Sequence, residues 1–405
     1  MTADCRAVED AEAQAGRARY AVAFYAPLKP PDHAHPSGDR HVARLLWRAL
    51  ELDGARVHLA SRFRAREANG DVDRQRRIQA VGERLADRLV RRYRGLPRAD
   101  RPDVWFTYHL YYKAPDWLGP RVSKALGIPY VVAEASYAPK RDKEPWRMVH
   151  RATGAAISAA DAVVALNPDD VACVLPLMTD GDRRVHAVPP FLDLGPWLNQ
   201  PAAPDQQQRA ALSNRLGIDV APPWLVCTAM MRPGDKRASY ELLAAALQCL
   251  KYTDWRLLVI GDGAAATAVH AAFAPFADRV VFLGRLETGH VARVLSAADI
   301  YVWPAVNEAF GMAFLEAEAC GLPVVAGDTR GVPAVVARDR CGLLTPLEPA
   351  AIAAALERLL CDRSLRLRMG QAARDQMAGR HGLSAGAAAL GRILAPLLDA
   401  AGHSR

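Results

Sequence analysis

Two glutamates, Glu308 and Glu316, stand with seven residues between them in the run YVWPAVNEAFGMAFLEAEACGLPVVAG, residues 301–327. A carboxylate in such a place can accept paired hydrogen bonds from sugar hydroxyls. Between the two acids, Phe310-Gly311 opens a run of helix formers, Met312-Ala313-Phe314-Leu315-Glu316. The free N–H groups at such a helix start, near Gly311 and Met312, favour an anion such as a phosphate. Two cations, Arg232 and Lys236, lie in a second loop, Met230-Met231-Arg232-Pro233-Gly234-Asp235-Lys236-Arg237. Together these features are consistent with a ligand site at this edge. An ordinary capped helix with acids near its N-terminus has the same local pattern, so both readings stand at this point.

The elements around these residues decide where they sit. Ile300 to Trp303 reads as a buried strand that Pro304 ends. Gly321 and Pro323 close the following helix, and Leu322 to Ala326 is the next strand. Strand, loop, helix and strand make a parallel unit whose loop lies at the carboxyl edge of the sheet, where open α/β sheets bind ligands. The strand Trp224 to Ala229 delivers Arg232 and Lys236 to the same edge. Further strands are expected at Arg256 to Ile260 and Arg279 to Leu283. Gly261-Asp262-Gly263 lacks the later glycines of a dinucleotide fingerprint, which argues against NAD.

The first half of the chain repeats the alternation. Strands are expected at Tyr20 to Tyr25, Ala55 to Ala60, Asp103 to Thr107, Ile128 to Ala133, Ala162 to Leu166 and Val185 to Val188. After the first comes a Pro-rich loop ending in Ser37-Gly38-Asp39, then a helix with Val42, Leu45, Leu46, Ala49 and Leu50 at helical spacing. Three strands end in polar residues: Tyr108-His109, Glu134-Ala135-Ser136 and Asn167-Pro168-Asp169. Such positions are where this architecture keeps its chemistry. A lone histidine like His109 is more often structural unless other features join it. Asp71-Val72-Asp73 and Asp180-Gly181-Asp182 could hold a metal but read more simply as turn and helix-start residues, and no metal site is expected.

At 405 residues, with 51% hydrophobic and 24% charged residues, two globular domains are the default. The net charge of +8 is mostly mixed Arg and acid, which does not suggest a nucleic-acid partner. The helix 72–94 carries Arg74, Arg76, Arg77, Arg84, Arg88, Arg91 and Arg92 opposite an apolar face of Ile78, Val81, Leu85, Leu89 and Val90. It is either a solvated face or a peripheral contact with anionic lipid. No stretch approaches the roughly 18–20 apolar residues of a membrane span. The first residues lack the apolar core of a signal peptide. Seven scattered cysteines without a C-x-x-C pair suit reduced thiols in a cytoplasmic protein. The expected divisions are a mobile segment 1–18, a domain 19–190, a Pro- and Gln-rich linker 191–208, a domain 209–383, and a C-terminal helix 384–405 packing back on the first domain.

The run Ala298-Asp299-Ile300 through Pro304, Glu308-Ala309-Phe310-Gly311, Glu316-Ala317 and Gly321-Leu322-Pro323-Val324-Val325-Ala326 resembles the retaining GT-B glycosyltransferases of the group 1, family-four type. Ser37-Gly38-Asp39 matches the first domain's glycine loop, with one glycine where two are common. Pro189 to Asp193 is similar to the interdomain turn, and Gly331-Val332-Pro333 to the small loop after the next strand. Arg232 with Lys236 resembles the basic pair on the donor diphosphate, although Met231 and Arg237 depart from the usual neighbours. The resemblance spans about residues 19–400. It implies an α/β GT-B fold, two Rossmann-like doubly wound domains facing across a cleft, and a nucleotide-diphosphate sugar as donor. The implied acceptor is a cell-surface glycan or lipid-linked precursor, with no separate cofactor.

Within that resemblance Glu316 would hold the ribose hydroxyls, Glu308 the sugar, and Arg232, Lys236 and the backbone of Phe310, Gly311, Met312, Ala313 and Phe314 the diphosphate. Gly38 and His109 would serve from the first domain, His109 on the transferred sugar. No pair of acids suits a covalent double displacement, so the resemblance implies front-face substitution with retained anomeric configuration. A nucleotide-sugar epimerase or a non-catalytic binding protein on the same fold are the alternatives. Loss of both glutamates or both cations would have favoured the latter.

Overall fold

The structure is a computed structural model that describes residues 18–35, 37–198 and 206–402. Two compact units divide the chain: the first runs to Val188 and takes in the chain again from Gly386, and the second is Pro189–Ala385. The segment expected to be mobile and the central part of the expected linker lie outside the described residues. Residues 206–208, expected as linker, already belong to a helix, Gln206–Leu216.

The first unit holds a sheet of β1 (Tyr20–Tyr25), β2 (Ala55–Ser61), β3 (Val104–Leu110), β4 (Tyr130–Ala135), β5 (Ala162–Ala165) and β6 (Val185–Ala187). The strands pair in parallel in the order β2-β1-β3-β4-β5-β6. Helices cover both faces, so the central strands are buried on both sides and read as continuous apolar runs; every residue of β1 is buried. Phe24 on β1 stacks on Phe106 on β3 at 5.6 Å. Beyond β3, the buried Asp116 fixes the chain: it accepts hydrogen bonds from Thr107 Oγ1 (2.6 Å), Tyr130 Oη (2.9 Å) and the Leu118 and Gly119 amides. That ties the segment after β3 to the sheet it has just left.

The second unit repeats the plan with β7 (Trp224–Thr228), β8 (Arg256–Ile260), β9 (Val280–Gly284), β10 (Ile300–Trp303), β11 (Val324–Gly327) and β12 (Gly342–Thr345). Their order is β12-β11-β10-β7-β8-β9, again all parallel. Arg209, buried in the helix Gln206–Leu216, ties that helix to the sheet. Its guanidinium donates to the Ala297 and Pro222 carbonyls and to Asp299 Oδ2 (2.7 Å), and it lies over Trp224. Leu192 bridges to Gly382, and His381 Nδ1 lies 2.6 Å from the Pro190 carbonyl, so the turn expected between domains is held by the end of the helix Arg363–Arg380.

Three expectations need correction. The edge strand β12 was not foreseen, because Gly-Leu-Leu-Thr is too short to show a period. Among the described residues one helix, Leu383–Ala400, is by length and composition apolar enough to cross a membrane. Its Ala387, Leu390, Ile393, Leu394 and Leu398 are buried, and Gly391 lies so close to the Asp53 carboxylate that no Cβ would fit there. In the helix Val72–Arg94, Val81 is exposed, and Gln75, Gly82, Ala86 and Tyr93 join Leu89 and Val90 in the buried face.

Candidate active site

The second sheet changes direction between β7 and β10, and the helices leaving those strands go to opposite faces. Asp235–Cys249 packs against 266–272 and 349–361, whereas Met312–Ala319 packs against 195–198 and 363–380. Such a divergence opens a crevice at the carboxyl edge. Lys236, in the first turn after β7, meets Glu308, in the loop after β10, as an ion pair across it. Both are partly sheltered, with side-chain exposures of 30% and 19%. The Lys236 ammonium also lies 5.4 Å from the centre of the Trp303 ring, which ends β10.

The β10 loop is held in place. Val306 N donates to Ser239 Oγ (3.0 Å) and Asn307 Nδ2 to Asp235 Oδ1 (3.1 Å), both on the helix after β7. Ala305 and Asn307 take left-handed backbone at φ 60° and 53°. Backbone of that kind in non-glycine residues persists where surrounding contacts over-determine it, often at ligand sites. Gly311 has φ 74° and precedes the helix Met312–Ala319; a Cβ there would press into the Phe314 ring. Glycine is therefore required at this corner.

Phe314 N donates to the Gly311 carbonyl at 3.0 Å, so its amide is not open to a ligand, and its ring is buried edge-on to Tyr301. The Met312 and Ala313 amides have no partner among the described residues. Phe310 is buried. Glu316, one turn further, has no hydrogen-bond partner within the described residues, and burial pushes its carboxyl up to about 7. Two residues on, Glu318 is wholly buried, both oxygens without a partner among the described residues, and burial raises its carboxyl further. Nothing in the sequence reading separated it from its neighbours.

Arg232 is exposed and has no ion-pair partner among the described residues. Arg237 is paired with Glu241 one turn along, on the outer face of the helix. Behind the Arg232 loop, Gly261 approaches so closely that a Cβ would run into the Ala229 carbonyl, and Met231 N donates to the Asp262 carbonyl at 2.9 Å. The Gly261-Asp262-Gly263 run thus supports this loop.

In the first unit the order reverses between β1 and β3, and a second polar cluster stands there. Ser37 caps the helix Gly38–Leu52 by accepting Arg40 N at 3.2 Å, which sets Asp39 in its first turn. His109 Nδ1, at the end of β3, lies 3.2 Å from Asp39 Oδ1, off the line of a hydrogen bond. Burial works against its charge, but Asp39, Glu134 and Asp170 outweigh it and hold the imidazolium above its ordinary range. Burial likewise opposes ionised Asp39, and His109 outweighs it to draw that carboxyl down. The expected strand-end residues His109 and Glu134 are brought together with Asp39. Asp170, which sequence reasoning passed over beside Asp169, joins them and accepts from Ser136 Oγ at 2.7 Å. A Cβ on Gly38 would meet nothing within 4 Å, so packing inside the unit does not set that glycine. Asp71 is a helix cap, accepting Arg74 N at 2.9 Å, and Asp180 precedes the short helix Gly181–Arg184.

Residues 222–362 match the family model described as glycosyl transferases group 1. A D-inositol 3-phosphate glycosyltransferase of Xylanimonas cellulosilytica is 29% identical, over 86% of this chain and 89% of its own. An alpha-maltose-1-phosphate synthase of Mycolicibacterium smegmatis is 31% identical, over 64% of this chain and 70% of its own. Among solved structures, Anabaena HepE in complex with UDP superposes with a TM-score of 0.70 at 15% identity, covering 93% of this chain and 99% of that one.

Proposed function

This chain belongs to the group 1 glycosyltransferases, and from that premise we propose that it moves a sugar from a nucleoside diphosphate sugar to an acceptor hydroxyl with retention of anomeric configuration. The observation that carries the reading is the convergence at one switch point. Lys236, Glu308, the Met312 and Ala313 amides and Glu316, the last three without partners among the described residues, all stand on the loops and first helical turns that follow β7 and β10. One relative named above is a D-inositol 3-phosphate glycosyltransferase, the other an alpha-maltose-1-phosphate synthase, and the HepE structure holds UDP.

In this reading Glu316 accepts hydrogen bonds from the ribose hydroxyls. Arg232, Lys236 and the helix-start amides face the diphosphate, and Glu308 faces the sugar. The bond from the sugar C1 to the β-phosphate oxygen breaks and its electron pair leaves with the phosphate. Cations and dipoles already in place stabilise that growing charge without reorganising. The acceptor oxygen bonds to C1 on the face the phosphate leaves, and its proton passes to the departing phosphate oxygen. From the first unit, His109 is assigned to the transferred sugar.

The acceptor is a glycan or lipid-linked precursor, and inositol 3-phosphate joins the probes because of the relative that bears its name. Peripheral contact with anionic membrane, through the exposed arginines of the helix Val72–Arg94, belongs to the same reading. It requires sedimentation with phosphatidylglycerol vesicles at low salt and release at high salt. The function itself is tested by thermal shift against UDP-, GDP- and ADP-sugars, followed by product detection with added acceptors. One nucleotide should raise Tm and its sugar should appear on an acceptor. If no nucleotide sugar raised Tm and none was consumed, the reading would fail.

A further inference from the structure

His109 and Glu134 occupy opposite positions on paired strands. Tyr108 pairs with Ala133 and Leu110 with Ala135, so the residues between them face each other across β3 and β4. Both take left-handed backbone, at φ 63° and 59°. Neither is glycine, and each such residue costs of order 1–3 kcal/mol unless its surroundings impose it. Two matched departures on neighbouring strands turn both side chains from the sheet's regular alternation at its carboxyl end.

Their polar atoms are unusual as well. Among the described residues, the buried Glu134 Oε2 accepts no hydrogen bond, and His109 Nδ1 is buried beside Asp39 without a well-aligned one. A buried unpaired carboxylate oxygen is costly unless a positive charge faces it. The groups around the ring are Asp39 on the helix after β1, Glu134 on β4 and Asp170 on the helix Pro168–Val174. Tyr108, adjoining Glu134, and Tyr111, adjoining Arg66, flank it on its own strand and turn. Lys29 is the cation that reaches Asp39 from the β1 loop. Three carboxylates thus surround one imidazole.

We propose that Glu134 is a positioning residue for His109. With Asp39 on its other side, it holds the ring as an imidazolium of fixed orientation, so that the first unit presents a cationic donor rather than a general base. The inference rests on the assignment of His109 to the transferred sugar, but its first consequence does not depend on that assignment. Removing the Glu134 charge while keeping its shape must make His109 release its proton at lower pH. In an enzyme that uses the imidazolium, the fall of kcat on the alkaline side must then move to lower pH by the same interval, with KM for the nucleotide sugar unchanged.

The test is NMR titration of ring-labelled histidines in the full chain, with the His109 signal identified by its loss in His109→Asn. The wild-type signal should titrate above that of an exposed histidine, and in Glu134→Gln it should titrate at lower pH. Glu134→Asp should restore part of the difference, which a merely structural role would not produce. A His109 titration unchanged in Glu134→Gln overturns the proposal. A shifted titration with an unmoved kcat profile upholds the positioning of His109 and removes His109 from the reaction, so the two readings fail separately. Were Glu134→Gln unable to fold, the Glu134→Asp titration decides: an unshifted signal there also overturns it.

Discussion

Lys236 and Glu308 neutralise each other across two loops, while Arg232 stands exposed beside them. A diphosphate arriving at this edge would meet one cation already paired and one unpaired, with the helix-start amides of Met312 and Ala313 completing the cradle. Since charge on the leaving phosphate grows in the transition state, both cations matter more to turnover than to folding. Arg232→Ala and Lys236→Ala should each lower kcat by about 10²–10³, with circular dichroism and Tm little changed; wild-type rates in the double variant would remove the assignment. Glu316 allows a test through pH. Burial raises its carboxyl to about 7, so the folded state holds a proton that the unfolded state has released above the ordinary carboxylate range. Stability contributed by this group is therefore full at low pH and is lost as pH rises toward 7. Ribose hydroxyls favour the ionised form. Nucleoside diphosphate affinity should thus rise with pH up to about 7, by up to about tenfold per pH unit, and this component should vanish in Glu316→Gln. Calorimetry across pH 5.5–8 compares the two proteins, and identical profiles would refute the ribose role. At this scale the sequence showed which acids and which cations stand near each other, because each pair lies within a single strand-loop-helix unit, Glu308 with Glu316 after β10 and Arg232 with Lys236 after β7. It did not show Asp170 or the burial of Glu318. Those depend on which elements pack together, which no local spacing records.

Among the elements, the loop between β10 and the helix Met312–Ala319 carries the most constraint. Its amides and side chains are tied to Ser239, Asp235 and Lys236 on the helix after β7, and it turns at Ala305, Asn307 and Gly311 through left-handed backbone. Gly311 is the corner where any side chain meets Phe314. Gly311→Ala should therefore displace the helix start. We expect a Tm lowered by several degrees, in line with about 1–2 kcal/mol of backbone strain, and a larger fall in nucleotide affinity. A variant that bound nucleotide as wild type does would show that the corner is not part of the site. Elements of this kind were legible because proline and glycine punctuate them: Pro304 after β10, Gly311 at the helix start, Gly321 and Pro323 at its end. The edge strand β12 was not legible, since Gly342 to Thr345 is short and its Gly342 must come close to Val324 on the neighbouring strand, a requirement visible only in three dimensions. The C-terminal helix itself was expected, but the apolar length of Leu383–Ala400 was not, because Pro396 and the many alanines dilute the apolar run.

At the scale of the whole molecule, each unit ends its sheet in a charged cluster at its own switch point. The second unit's cluster is built on Lys236, Glu308 and Glu316, and the first unit's on Asp39, His109 and Glu134. The two differ in electrostatic character. Arg232 and Lys236 offer fixed positive charge and Glu308 only partly offsets it, whereas three carboxylates surround the single imidazole of His109. A metal-dependent transferase holds the diphosphate through a cation gripped by an acidic pair. Here Asp71 already spends its carboxylate capping the Arg74 amide, and in the function proposed above the diphosphate charge is met by the side chains of Arg232 and Lys236. Transfer should accordingly proceed in excess EDTA. The same charge distribution bears on stereochemistry. Double displacement needs a carboxylate free to attack the sugar carbon, yet Glu308 is ion-paired with Lys236 and Glu316 keeps its proton up to about pH 7. With neither acid placed as a free nucleophile, the retention proposed above would come from an acceptor approaching on the side of the departing phosphate, and in that proposal the product keeps the donor's anomeric configuration. Proton NMR of the product formed in EDTA reads both at once, through the coupling of the anomeric proton in the first turnovers. An inverted product would exclude front-face substitution, and activity lost in EDTA but restored by magnesium or manganese would assign the diphosphate charge to a metal instead of to Arg232 and Lys236.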